Sequence, residues 1–94
     1  MVTLVATFNV QEGHMEEVIA MLQEVVPQVR EAEEGCLAYI PHTVKDAENT
    51  IIMYEKYEDR AALAIHMKNL PKYFENIMPL MDGEAEIKVC EEII

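Results

Sequence analysis

In this 94-residue sequence, His66 is the side chain whose type and position best suit it to move a proton. It follows Leu63 by three residues in the segment after Asp59, so the two share the inward face of one helix. An imidazole titrating near neutrality can take a proton or hold a hydrogen bond to a ligand oxygen. The competing reading is a core histidine bonded to a backbone carbonyl or a neighbouring carboxylate, tying helix to sheet. Tyr39 and Tyr54 fall in two consecutive strand-like runs. Their hydroxyls could position a ligand oxygen or stabilise a developing oxyanion, although plain aromatic packing explains them too. His42 and Asn9 lie near strand ends, where a ligand contact competes with ordinary solvation. Asn9 is on the mixed face of its strand, which could point it to the far side of the sheet. Tyr73, Phe74 and Met67 read as lining for a flat apolar ligand or as simple core. Glu55, a carboxylate inside an apolar run, reads as a buried and paired structural group.

Metal chemistry finds little support. His14, His42 and His66 are scattered, and no His or Cys pair has ligand spacing. Cys36 and Cys90 make neither a disulfide framework nor a metal site; both read as reduced thiols inside strands. No cofactor or metal is expected.

The elements that must hold these residues follow from periodicity. Val2, Leu4, Ala6, Phe8 and Val10 alternate with a mixed set, as in a strand with one fully buried face. His14 to Glu34 carries one apolar stripe, Met15, Val18, Ile19, Leu22, Val25, Val26 and Val29, and predicts a helix. Pro27 should bend that helix, and Gly35 should end it as a left-handed cap. Cys36 to Val44 and Thr50 to Glu58 predict a hairpin. The pattern sets Cys36, Ala38 and Ile40 on one side against Leu37 and Tyr39, and Ile51 and Met53 against Ile52 and Tyr54. Asp59 should cap a helix to about Lys68, Pro71 should start a further helical turn, and Glu84 to Glu91 alternates as a half-exposed last strand. The order β-α-β-β-α-β, with a short extra helix before the last strand, is that of an α+β ferredoxin-like sandwich in a single domain over residues 1–94. An antiparallel sheet packed on one face normally shows water the other. Here the hairpin is apolar on both faces, so a second copy of the chain is expected to cover the free face, making a homodimer.

Composition narrows the partners. Eighteen acidic against seven basic residues give a net charge of −11, which would repel nucleic acid and anionic membrane surfaces. Half the residues (51%) are apolar, ample for a core. No apolar run approaches a bilayer span, and Met1 to Val10 lacks the features of a signal peptide. A cytoplasmic protein with no nucleic-acid or membrane partner is the expectation.

The stretch Glu34-Gly35-Cys36-Leu37-Ala38-Tyr39, then His42, Tyr54-Glu55-Lys56-Tyr57-Glu58-Asp59, Ala62-Leu63, His66 and Tyr73-Phe74 resembles the antibiotic biosynthesis monooxygenase family. Within it, the chain is similar to the quinol monooxygenases and the autoinducer-2-processing isomerases. The resemblance implies a dimeric α+β barrel in which two sheets face each other and each subunit keeps its own pocket between sheet and helices. It also implies a cofactor-free oxygenase that deprotonates a hydroquinone or related phenol, whose anion reduces O₂ directly. On that basis His66, Tyr54 and Tyr39 are the catalytic candidates. His42, Asn9, Tyr73, Phe74 and Met67 are the candidates for binding a small aromatic or quinol-like ligand. The haem-degrading branch fits badly: Asn76 stands where its iron-ligating histidine would be, and the chain has no tryptophan. Two alternatives remain. One is an isomerase of a small hydroxyketone or phosphorylated metabolite; a phosphate substrate is disfavoured because Lys45, Lys56, Arg60, Lys68, Lys72 and Lys88 mostly look surface-placed. The other is a ligand-binding dimer without catalysis.

Overall fold

Alternation at the N-terminus becomes strand β1 (Val2–Asn9) in the computed structural model, which describes residues 1–94. Val2, Leu4, Ala6 and Phe8 are buried, while Thr3, Val5 and Thr7 are only half-buried. Helix α1 (Met15–Ala32) buries Val18, Leu22, Val25 and Val29, one stripe at three-four spacing. Burying each of these side chains contributes roughly 1.5–3 kcal/mol. The helix continues past Pro27. Strands β2 (Cys36–Val44) and β3 (Ala47–Tyr57) form the hairpin. Val44 pairs with Ala47 across the two residues Lys45 and Asp46, and Asp46 takes φ 65°. That left-handed conformation is one aspartate tolerates better than most residues.

Helix α2 (Arg60–Tyr73) starts at Asp59, whose carboxylate accepts the backbone N–H of Ala62 at 2.8 Å. A short 3₁₀ turn (Met78–Leu80) and strand β4 (Glu86–Glu91) complete the chain. The sheet order is β2-β3-β1-β4 and every pairing is antiparallel. The architecture is therefore the ferredoxin-like α+β sandwich that the element order implies. No helix is long and apolar enough to cross a membrane.

Four local expectations need correction. Pro71 lies inside α2 and starts no second helix, because α2 runs on to Tyr73. Gly35 is not left-handed; among the glycines only Gly13 and Gly83 have positive φ. Glu33 closes α1 in an extended conformation, and Gly35 serves instead to let α2 approach, since a Cβ there would lie 2.6 Å from that of Ala62. Strand β4 is exposed along its whole length rather than half-exposed. Ile87 and Val89 pair with Ala6 and Leu4 on the helix side of the sheet, but they remain about half exposed at that edge.

The fourth correction concerns Tyr39. A register shift between Cys36 and Ala38 inserts an extra residue into β2. Cys36 and Tyr39 both become buried on the helix side, and Ile40 turns to the open side, 45% exposed. Strict alternation would have put Tyr39 with Leu37.

Candidate functional site

Between the sheet and α2 lies a cavity of about 310 Å³, and 12 of its 16 lining residues are hydrophobic. Leu4, Ala6 and Phe8 of β1 form its floor, and Met67, Leu70 and Phe74 stand over it. Phe8 and Phe74 meet edge to face, ring centres 6.0 Å apart, at the end away from Leu4. At the Leu4 end the lining changes character. Leu4 pairs with Glu55, and Glu55 pairs with Tyr39, so the register places two polar side chains there. His66 enters the same end from α2, its ring 5.0 Å from that of Tyr39 and edge to face with it.

His66 is 1% exposed and is the hub of a buried polar cluster. Its Nδ1 lies 2.9 Å from Oε1 of Glu33, and its Nε2 lies 3.7 Å from Oε1 of Glu55. The Tyr57 hydroxyl donates to the same Glu55 oxygen at 2.6 Å. Tyr73 stacks on the imidazole with ring centres 6.2 Å apart. Burial lowers the pKa of His66, against the partial restoring pull of Glu33. Burial pushes the Glu55 carboxyl up to about 7; the Tyr57 hydrogen bond opposes this and the Glu33 charge adds to it. Burial, reinforced by Glu55, holds the Tyr39 phenol far above its ordinary value. At neutral pH the cluster therefore presents a neutral imidazole, a phenol that keeps its proton, and a carboxyl poised between its two states. No buried side-chain nitrogen or oxygen lacks a partner or an opening. No three His, Cys, Asp or Glu side chains converge so as to hold a metal ion.

Of the residues singled out from sequence, His66, Tyr39, Met67 and Phe74 come together in this cavity. Tyr73 backs the imidazole from outside the lining. Tyr54, His42 and Asn9 are elsewhere. Tyr54 pairs with Ile40 and Val5, and Ile52 pairs with His42 and Thr7, which puts both sets on the helix-free face. Asn9 pairs with Thr50 on that same face and accepts a hydrogen bond from its hydroxyl at 2.9 Å. The His42 Nδ1 sits 3.0 Å from the carbonyl of Ile40. Glu55 belongs to the cavity wall as well as to the structural network first read for it.

Glu33 is the functional candidate missed in the sequence. It lies in an acidic run, Glu31 to Glu34, that looks like a solvated helix end. A signal was nonetheless present. Glu33 falls four residues after Val29, on the stripe that already carries Leu22 and Val25, so the helix turns it inward.

Comparison with known proteins bears on the family and the fold. The family model described as antibiotic biosynthesis monooxygenase matches residues 1–77. No curated protein sequence matches the chain. Among solved structures, a Caulobacter crescentus protein described provisionally as an antibiotic biosynthesis monooxygenase superposes with a TM-score of 0.91 at 24% identity, over 99% of this chain and 90% of that one. A Shewanella oneidensis protein gives 0.82 at 28% identity, over 95% of this chain and 87% of its own. A Pseudomonas aeruginosa protein gives 0.81 at 27% identity, over 99% and 94%.

Proposed function

Because the chain belongs to the antibiotic biosynthesis monooxygenase family, we propose that its cavity binds a small quinol or polyphenol and oxidises it with O₂, without an added cofactor. The observation that carries the reading is the asymmetry of the cavity: an apolar body with Tyr39, Glu55 and His66 gathered at one end. A flat aromatic ring fits the apolar part, and a ring hydroxyl reaches the polar end. There a neutral imidazole beside a half-ionised carboxyl can accept the phenolic proton near neutral pH. The Tyr39 phenol keeps its proton and can donate to the oxyanion that forms.

The remaining chemistry belongs to the substrate. The phenolate gives one electron to O₂, leaving a ring radical and superoxide, and these recombine through a new carbon–oxygen bond to a ring hydroperoxide. Loss of water breaks the oxygen–oxygen bond. One oxygen stays on the ring and the other leaves as water, and all four electrons come from the substrate. The protein's contribution is to hold the ring, take its proton and exclude water.

No lysine or arginine lines the cavity, whereas Glu55 and Glu84 do. That speaks against a phosphorylated ligand and for a neutral one. A second copy of the chain on the helix-free face is part of the proposal. Ile40, Tyr54 and Val5 form one row across that face, and sedimentation at micromolar concentration should find dimers.

The test is oxygen uptake with chemically reduced naphthoquinols and no metal or flavin added. Wild type should consume O₂, and both His66→Ala and Tyr39→Phe should lose activity, the former by about 10²–10⁴-fold. Turnover of a hydroxyketone under anaerobic conditions, with no uptake on any quinol, would overturn the reading.

A further inference from the structure

We infer that Glu33 is a positioning residue that holds His66 in the tautomer whose Nε2 lone pair faces Glu55 and the cavity. The inference rests on the reading of the cavity given above, and it concerns which of the two imidazole nitrogens is free to accept a proton. A neutral imidazole carries one N–H. Two carboxylates compete for it from opposite edges of the ring. Glu33 Oε1 lies 2.9 Å from Nδ1, whereas Glu55 Oε1 lies 3.7 Å from Nε2, beyond hydrogen-bond reach. The nearer contact is buried, the two side chains being 1% and 3% exposed, so water does not weaken it. The Glu55 oxygen that faces Nε2 is already taken up by the Tyr57 hydroxyl at 2.6 Å. The proton therefore sits on Nδ1, and Nε2 is left as the base.

The surroundings keep the ring from turning. Tyr73 covers one side, its ring within 18° of parallel to the imidazole and the ring centres 6.2 Å apart. Tyr39 and Tyr57 close the other sides at 5.0 and 5.5 Å. Asn69 reaches the second oxygen of Glu33 at 3.5 Å. Glu33 comes from the end of α1, Tyr39 from β2, Glu55 and Tyr57 from β3, and Asn69 and Tyr73 from α2.

The test is ¹⁵N NMR of the labelled full chain above the titration range of imidazole, which distinguishes a protonated ring nitrogen from one with a lone pair. Wild type should carry the proton on Nδ1. Glu33→Gln keeps an accepting oxygen in the same place and should keep that tautomer. Glu33→Leu removes the acceptor that holds the proton on Nδ1, and the proton should move to Nε2, the one edge of the ring that still faces a carboxyl group. In oxygen uptake, Glu33→Leu should then lower kcat by about 10²–10⁴-fold, the contribution of a general base, with little change in KM. Glu33→Gln should retain most of it. A wild-type ring protonated on Nε2, or a Leu variant with the wild-type tautomer, overturns the inference. Should Glu33→Leu fail to fold, the wild-type and Gln spectra decide the matter. The expected tautomers without O₂ uptake on any quinol would remove the oxygenase reading and leave the role of Glu33 standing.

Discussion

Replacing Gly35 by alanine would set a methyl group 2.6 Å from the Cβ of Ala62, where ordinary contact begins at 3.4 Å, so the two backbones must separate by about 0.8 Å. Neither atom is the end of a flexible chain. Gly35 lies two residues beyond Glu33, and Ala62 lies one helical turn before His66. To the extent that α2 takes up the separation, the 2.9 Å contact between Glu33 and His66 opens past the hydrogen-bond limit of about 3.5 Å. Overpacking costs about 1–3 kcal/mol, and losing a hydrogen bond to a charged group adds a comparable amount. For a domain of this size, 2 kcal/mol lowers Tm by roughly 8–16 °C. Urea unfolding at fixed chain concentration measures the loss, and the NMR titration of His66 measures the opened contact. Gly35→Ala combined with Ala62→Gly returns the space and should recover most of the stability, less roughly 0.5–1 kcal/mol for a glycine inside a helix. An unchanged midpoint in the single variant, or a double variant as unstable as the two singles added together, refutes the reasoning.

Two further outcomes follow from burial. The Glu55 carboxyl is pushed from 4.5 up to about 7 in the fold. Stability tied to its protonated form is therefore fully present below about 4.5 and lost as pH rises through about 7. Glu55→Gln can still accept from Tyr57, so it should be more stable than wild type at about pH 8, by up to about 3 kcal/mol. That gap should close towards about pH 4, and an equal difference at both values would sink the argument. Burial also pushes the Cys36 thiol up to about 11. Iodoacetamide should leave Cys36 unmodified in the native protein at about pH 8 and label it only after unfolding, as read by peptide mass spectrometry. Native labelling of Cys36 would contradict its burial.

Much of the fold was legible because its signals are local. The alternation of Val2 to Val10, the stripe of α1 and the cap at Asp59 each depend on neighbours within a turn or two. Other features depend on partners distant in sequence. Val5 and Tyr54 are as apolar as many core residues, and only the strand pairing shows that they look away from the helices. Tyr54 and Tyr39, read as companions, lie on opposite faces because the extra residue near the start of β2 turns Tyr39 inward. Ile87 and Val89 have the alternation of a half-buried strand, but no helix reaches far enough to cover them. Glu33 was hidden by its charge, since an acid in an acidic run reads as solvated until His66, 33 residues on, is seen to meet it.

The irregularity at the start of β2 has a consequence for how this chain can change. One surplus residue decides the parity of everything downstream in the strand. Deleting Leu37 would close the bulge and leave Ala38 opposite Lys56 and Tyr39 opposite Glu55, so the inner set would not change. A strand that kept Leu37 but paired it with Lys56 would instead turn Tyr39 outward and Ile40 inward. The chamber therefore survives the loss of the surplus residue but not a one-step slip of the strand around it.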